Sequence, residues 1–255
     1  DEYLITDAPL KALTVFAMPM ILGSFFQQVY NMADSIIVGQ FVGSSALAAV
    51  GACAALTNVF ICIALGAGVG AGVLVSRYFG ARDYSKMKTI VSTSLISFLI
   101  LSMLLGVFGF CFSRSMMNLL QTPADILDEA VLYLRVYFVG FPFLFMYNIF
   151  STMFTSIGES KIPLGLLIFS SVLNIFMDLW MVAGLGLGVF GAALATLIAQ
   201  GISAVFSLLI FFSRMRRYKS HFAWFNGQEL YSMLQIAVPS ILQQSTVSIG
   251  MMIVQ

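Results

Sequence analysis

Two carboxylates stand where an apolar chain should not tolerate them. Of the eleven acidic residues, Asp34 and Asp178 are the two inside or near the end of long hydrophobic stretches, and a carboxylate at that depth marks function by default. Each has polar company at helical spacing. Gly23, Gln27, Asn31 and Asp34 follow steps of four, four and three, and Ser170, Asn174 and Asp178 follow steps of four, so each set shares one helix face. A third face carries Thr196, Gln200, Ser203 and Ser207, and a fourth carries Asn148, Ser151 or Thr152, and Thr155. Serines and threonines in such stripes usually join helices by hydrogen bonds worth about 0.6 kcal/mol each. That role suits the serines, Thr152 and Thr155. The aspartates add something an amide or hydroxyl lacks, the ability to take and release a proton or hold a cation. Two carboxylates with the Asn174 amide and the Thr196 hydroxyl offer hard oxygen donors suited to hydronium or Na⁺.

The elements that must position these groups are transmembrane helices. Sixty per cent of the 255 residues are hydrophobic and nine per cent are charged, against about one-quarter charged in a soluble domain. Mean hydropathy is +0.99. Seven stretches, at roughly 12–37, 46–75, 88–112, 130–156, 162–183, 189–213 and 230–255, are long enough to cross a hydrocarbon core of about 30 Å as helices. The ten-residue alternation of a β-barrel is absent. The first stretch is full length, so it is not read as a cleavable signal peptide.

The first and last stretches are two versions of one segment. Leu10, Ala17, Pro19, Ile21 and Leu22 recur as Leu230, Ala237, Pro239, Ile241 and Leu242, which marks an internal repeat. Six helices separate the copies, so the repeats are parallel and related by an axis along the membrane normal. The chain reads as a six-helix unit (1–213), a linker (214–229) and the first helix of a truncated second unit (230–255). Starting at Asp1, it also reads as lacking its natural first residues.

Basic residues orient the helices. Lys11, Arg77, Arg82, Lys86, Lys88, Lys161, Arg214, Arg216, Arg217 and Lys219 fall on one side and Arg114 on the other, while Arg135 lies inside the fourth span. Basic loops stay in the cytoplasm, so the N-terminus is expected inside, in a multi-pass protein of the cytoplasmic membrane. Asp34, Asp178 and Thr196 then all fall in the outer half of the bilayer. The linker, with Arg216-Arg-Tyr-Lys219 and His221-Phe-Ala-Trp-Phe225, is expected at the cytoplasmic interface rather than on nucleic acid.

The remaining features read as packing. Cys53, Cys62 and Cys111 form neither a disulfide framework nor a metal spacing. Gly66, Gly68, Gly70 and Gly72 make overlapping small-xxx-small pairs for close helix approach, and Gly184, Gly186, Gly188 and Gly191 turn the chain into the sixth helix. Pro19 removes a backbone hydrogen bond within the helix that carries Asp34, which makes it the expected hinge. His221 reads as a solvated linker residue.

Together these motifs resemble the multidrug and toxic compound extrusion (MATE) family of cation-coupled antiporters. The likeness rests on Ala17-Met-Pro19, Asp34-Ser-Ile-Ile-Val-Gly39, Tyr78-Phe-Gly-Ala-Arg-Asp83, Asn174-Ile-Phe-Met-Asp178 and Gly186-Leu-Gly-Val-Phe-Gly-Ala-Ala-Leu-Ala-Thr196. It implies an all-α membrane protein with two six-helix lobes, working by alternating access, of which this chain holds the N-terminal lobe. It also implies proton or Na⁺ coupling at Asp34, Asn174, Asp178 and Thr196, with Gln27, Asn31, Asn148 and Gln200 along the path of small organic, often cationic, substrates. No cofactor is implied beyond the coupling ion. Where some members carry an acid in the seventh helix this chain has Gln243 and Gln244, and Arg82 departs from the loop motif.

Other functions fit less well. A lipid-linked saccharide flippase of the same superfamily would need several cavity arginines, and only Arg135 lies within the spans. An intramembrane aspartyl protease needs Gly-x-Gly-Asp, which neither Ala33-Asp34 nor Met177-Asp178 supplies. A retinal protein needs a lysine in the seventh span, which has none.

Overall fold

The computed structural model describes residues 8–218 and 220–254, with side chains described except at 247–249 and 251–254. Among these residues the chain is helical throughout, with no strand. The helices are α1 (Pro9–Phe41), α2 (Ser44–Gly80), α3 (Tyr84–Leu119), α4 (Leu127–Ser156), α5 (Lys161–Asp178), α6 (Gly188–Met215) and α7 (Gly227–Val254). α1 to α6 are long and apolar enough to cross a membrane. All but α5 outrun the apolar stretches that announce them, because helices continue into the polar flanks; α5 stops at Asp178, and the rest of its stretch is a π-helical turn. Lys219 and Gln255 lie outside the described residues, as do the side chains at the end of the seventh expected span.

α2, α4 and α6 form the middle of the bundle, with α3 and α7 on one side and α5 and α1 on the other. Lipid offers helices no hydrophobic reason to associate, so small residues and close van der Waals packing hold them. α2 shows how. A Cβ on Gly66 would stand 2.7 Å from the Ile241 Cα of α7, and one on Gly70 would stand 2.6 Å from Ala237 Cβ. The alternating glycines face the other way: a Cβ on Gly68 or Gly72 would come within 2.8 Å of Thr152 on α4. The run of glycines is thus two seams back to back. Above them a phenylalanine cluster fills the core, with Phe60 edge-on to Phe138 at 4.7 Å and Phe141 edge-on to Phe145 at 5.7 Å. Cys53 and Cys62 are buried as packing residues, whereas Cys111 is exposed on α3.

The connections 81–83, 157–160, 216–218 and 220–226 meet at one end of the bundle. Arg214 pairs with the largely buried Glu159 at 3.4 Å, and Tyr84 stacks on Tyr218 at 4.7 Å. At the opposite end Arg114 reaches Asp128 at 3.3 Å. Residues 221–226 form a strap along α3, and hydroxyls on one face of that helix satisfy its backbone. Ser85 Oγ donates to the His221 carbonyl, and Thr89 Oγ1 accepts from Ala223 N at 3.1 Å. Ser92 Oγ donates to the Trp224 carbonyl at 2.7 Å, and Thr93 Oγ1 accepts from Asn226 N at 3.1 Å. Asn226 Oδ1 then accepts from Gln228 N at 2.9 Å, capping α7.

Candidate functional site

An apolar clamp brings the polar centre together. Ile37 and Val38, about one turn beyond Asp34 on α1, pack in one buried cluster with Val182, just beyond Asp178, and with Val189 and Ala192, just before Thr196. The clamp stacks the three polar positions across three helices. α5 ends at Asp178, and Leu179–Gly184 continue as a π-helical turn. Such turns are single insertions in α-helices, frequent at functional sites. A Cβ on Gly191 would stand 3.2 Å from the Met181 carbonyl, so glycine lets α6 lie close to this turn. Gly186 and Gly188 take positive φ at +65° and +58° to close the connection.

Asp178 and Asn174 are fully buried, at 0% and 1% exposure, and Asp34 is half-buried. The carboxyl groups of Asp34 and Asp178 are close neighbours. Two carboxylates held close at this depth repel, and a proton on one or a cation between them relieves the repulsion. Asn174 joins the pair to α6. With its amide nitrogen toward Asp178 it donates to Oδ2 at 2.7 Å, and its oxygen accepts from Thr196 Oγ1 and N, both at 3.2 Å. Turned over, the amide donates to Thr196 Oγ1 at 3.2 Å and sets oxygen against Asp178 oxygen, an arrangement that needs a proton on Asp178. Thr196 Oγ1 also reaches the Ala192 carbonyl at 3.2 Å. Asp34 Oδ1 and Asp178 Oδ1 are buried with no hydrogen-bond partner among the described residues. Two spare carboxylate oxygens, an amide and a hydroxyl are a donor set that fits a proton or Na⁺.

Three tyrosines that the sequence reading passed over surround this centre. Tyr30 lies one turn before Asp34 with its hydroxyl toward Thr196, and Tyr133 of α4 neighbours Asp34 and Tyr30. Tyr137 follows one turn after Tyr133. The i−4 spacing of Tyr30 from Asp34 and the Tyr133/Tyr137 pair were the signals available. A cavity of ≈ 20 Å³ between α4 and α6 is lined by Tyr133, Tyr137, Thr196 and Gln200. Gln200 therefore sits beside Thr196. Gln27 donates to Asn31 Oδ1 at 3.4 Å along α1, where Asn31 is exposed, and Asn148 donates to the Leu144 carbonyl at 2.8 Å on α4; none of these three shows a bond to the carboxylate centre. Pro19 is buried inside an otherwise continuous α1, between exposed Met18 and Met20. Nearer the basic end, an open groove of ≈ 420 Å³ runs between Phe16, Val69, Val73 and Thr152.

A bundle of long apolar helices around a buried polar centre defines a multi-pass integral membrane protein. The MatE family model matches residues 19–180, and the chain belongs to this family. It is 30% identical over 250 residues to the probable multidrug resistance protein YpnP of Bacillus subtilis, which covers 95% of this chain and 55% of that protein. It is 29% identical to the multidrug export protein MepA of Staphylococcus haemolyticus, over 83% of this chain and 47% of that one. A solved MATE in the straight conformation superposes with a TM-score of 0.89 at 29% identity, covering 98% of this chain and 56% of the other. The chain thus spans about half the length of these relatives.

Proposed function

We propose that this chain is the cation-coupling half of an exporter that moves small organic, often cationic, compounds across the cytoplasmic membrane in exchange for H⁺ or Na⁺. The neighbouring carboxyls of Asp34 and Asp178, tied through Asn174 to Thr196, carry this reading. Filling the site with a cation, or emptying it, changes the bonding between α1, α5 and α6, and Pro19 gives α1 a point at which to respond. Gln27, Asn31 and Asn148 are assigned to the substrate path, whereas the buried amide oxygen of Gln200 is assigned to the cavity beside Thr196. Alternating access requires a second half to complete the cleft. The basic end, with Arg77, Arg82, Arg216 and Arg217, is placed in the cytoplasm, and the N-terminus with it.

A lipid-linked saccharide flippase is less well supported. Arg135, the cation such a protein would use, is exposed on α4 with its guanidinium over the Phe110 ring at 5.6 Å. The test is dye efflux from vesicles containing the full-length protein, under separately imposed pH and Na⁺ gradients. Asp34→Asn and Asp178→Asn each abolish gradient-driven efflux; retention of wild-type efflux by both removes the coupling assignment.

A further inference from the structure

The cavity between α4 and α6 holds two polar groups with no visible reason to be there. Tyr137 Oη and Gln200 Oε1 are both buried, and neither has a hydrogen-bond partner among the described residues. Buried polar atoms in native proteins almost always find a partner, from protein or from ordered water. Both residues line the same small cavity, whose volume of ≈ 20 Å³ suits one water and little else. Organic ligands need several hundred Å³. Tyr133 and Thr196 are the other polar residues of the lining, and Gly140, Leu144, Ala193 and Leu197 make up the rest.

The Thr196 hydroxyl links this wall to the carboxylate centre. With Asn174 turned so that its oxygen accepts from Thr196 Oγ1, that hydroxyl shares its hydrogen between Asn174 and the Ala192 carbonyl, and of its two lone pairs one faces the Tyr30 hydroxyl and one is left for a further donor. We propose that Tyr137, Gln200 and Thr196 hold one buried water molecule, and that this water positions Thr196 for the cation site. Each of the three groups then has a partner. Tyr137 Oη–H donates to the water, and the water donates one hydrogen to Gln200 Oε1 and the other to Thr196 Oγ1. Tyr137 and Gln200 are then positioning residues. They touch neither carboxylate, yet they fix the hydroxyl that fixes the Asn174 amide against Asp178.

This inference rests on the coupling assignment above, and the test separates the two. Full-length protein is reconstituted in vesicles, and the H⁺ or Na⁺ concentration giving half-maximal dye efflux is measured for Tyr137→Phe, Gln200→Met and the double variant. Both substitutions keep the side-chain volume, and melting temperatures check folding. Each single variant shifts the midpoint by about fivefold, the worth of one hydrogen bond of ordinary strength. The double variant shifts it no further, because either change leaves the water short of a partner. Wild-type midpoints, or shifts that multiply in the double variant, overturn the shared water. A high-resolution crystal structure gives a second reading that does not depend on transport: density for a water between the three atoms in the native protein and none in Gln200→Met. Absence of that density from the native protein likewise overturns it. If Asp34→Asn and Asp178→Asn leave the midpoint unchanged, the coupling assignment itself fails, whatever the water density shows.

Discussion

The seam between α2 and α7 has a reporter already built into it. Cys62 lies one turn before Gly66, is only 4% exposed, and has its Sγ 3.6 Å from the Gln244 carbonyl of α7. Consider Gly66→Ala. The new Cβ would fall against the Ile241 Cγ1 and within 2.7 Å of both Ile241 Cα and N. Carbon atoms rest at about 3.5–4.0 Å, so α7 must retreat by about 1 Å, and backbone atoms cannot rotate out of the way. Overpacking of this kind costs about 1–3 kcal/mol, and contact with backbone puts the cost toward the upper end. The closed seam is then weakened about 30- to 150-fold relative to open arrangements. In a Cys53→Ala, Cys111→Ser background, the rate at which maleimide labels Cys62 rises by that factor. Gly51→Ala is the control, since a Cβ there meets nothing within 4 Å. If Gly66→Ala leaves Cys62 as protected as Gly51→Ala does, α7 is not packed on α2 as described.

The remaining predictions concern the clamp, the basic end and the strap. Val38→Ala removes a fully buried side chain from the clamp, and should lower stability by about 1–2 kcal/mol while weakening gradient-driven efflux; a melting curve and the vesicle assay read both. Arg214→Ala leaves the Glu159 carboxylate without its ion pair and should cost about 1–2 kcal/mol, less than a fully buried pair because Arg214 is partly exposed. The double change with Glu159→Gln should recover most of that loss in a melting experiment. Thr89→Val and Thr93→Val each leave a strap N–H unpaired, at about 1–3 kcal/mol; the chain should then be cut faster by trypsin at Arg216 and Arg217, while Ser115→Ala, elsewhere on α3, should not change the cutting rate.

The helices were legible in the sequence because lipid demands long apolar runs, and the run lengths located each of the six helices that, among the described residues, are apolar enough to cross. The glycine run on α2 was legible as a packing motif but not as two motifs. Spacings of four place Gly66 with Gly70 and Gly68 with Gly72, yet only the neighbours decide that one pair meets α7 and the other α4. Polar spacing singled out Asp34, Asn174, Asp178 and Thr196 one helix at a time. Their juxtaposition depends on the contacts of Ile37, Val38, Val182 and Val189, which look like any other apolar residues in the chain. The π turn after Asp178 left no mark, since Leu179-Trp-Met-Val182 suits an α-helix equally well. Tyr30, Tyr133 and Tyr137 were hidden by composition: in a chain with 14% aromatic residues, a tyrosine does not stand out until its hydroxyl is seen among carboxyls.

The strap along α3 is paired like a strand whose partner is a row of hydroxyls. Its side chains take little part: Trp224 is 73% exposed, and Phe222 and Phe225 are also open. What the four bonds fix is register, matching 221, 223, 224 and 226 to 85, 89, 92 and 93. An inserted residue between Trp224 and Phe225 would move Asn226 off Thr93 and rotate the cap of α7, although every original side chain remained. The connection from α6 to α7 therefore works as a ruler. Its composition can drift, but its length sets the angle at which α7 begins.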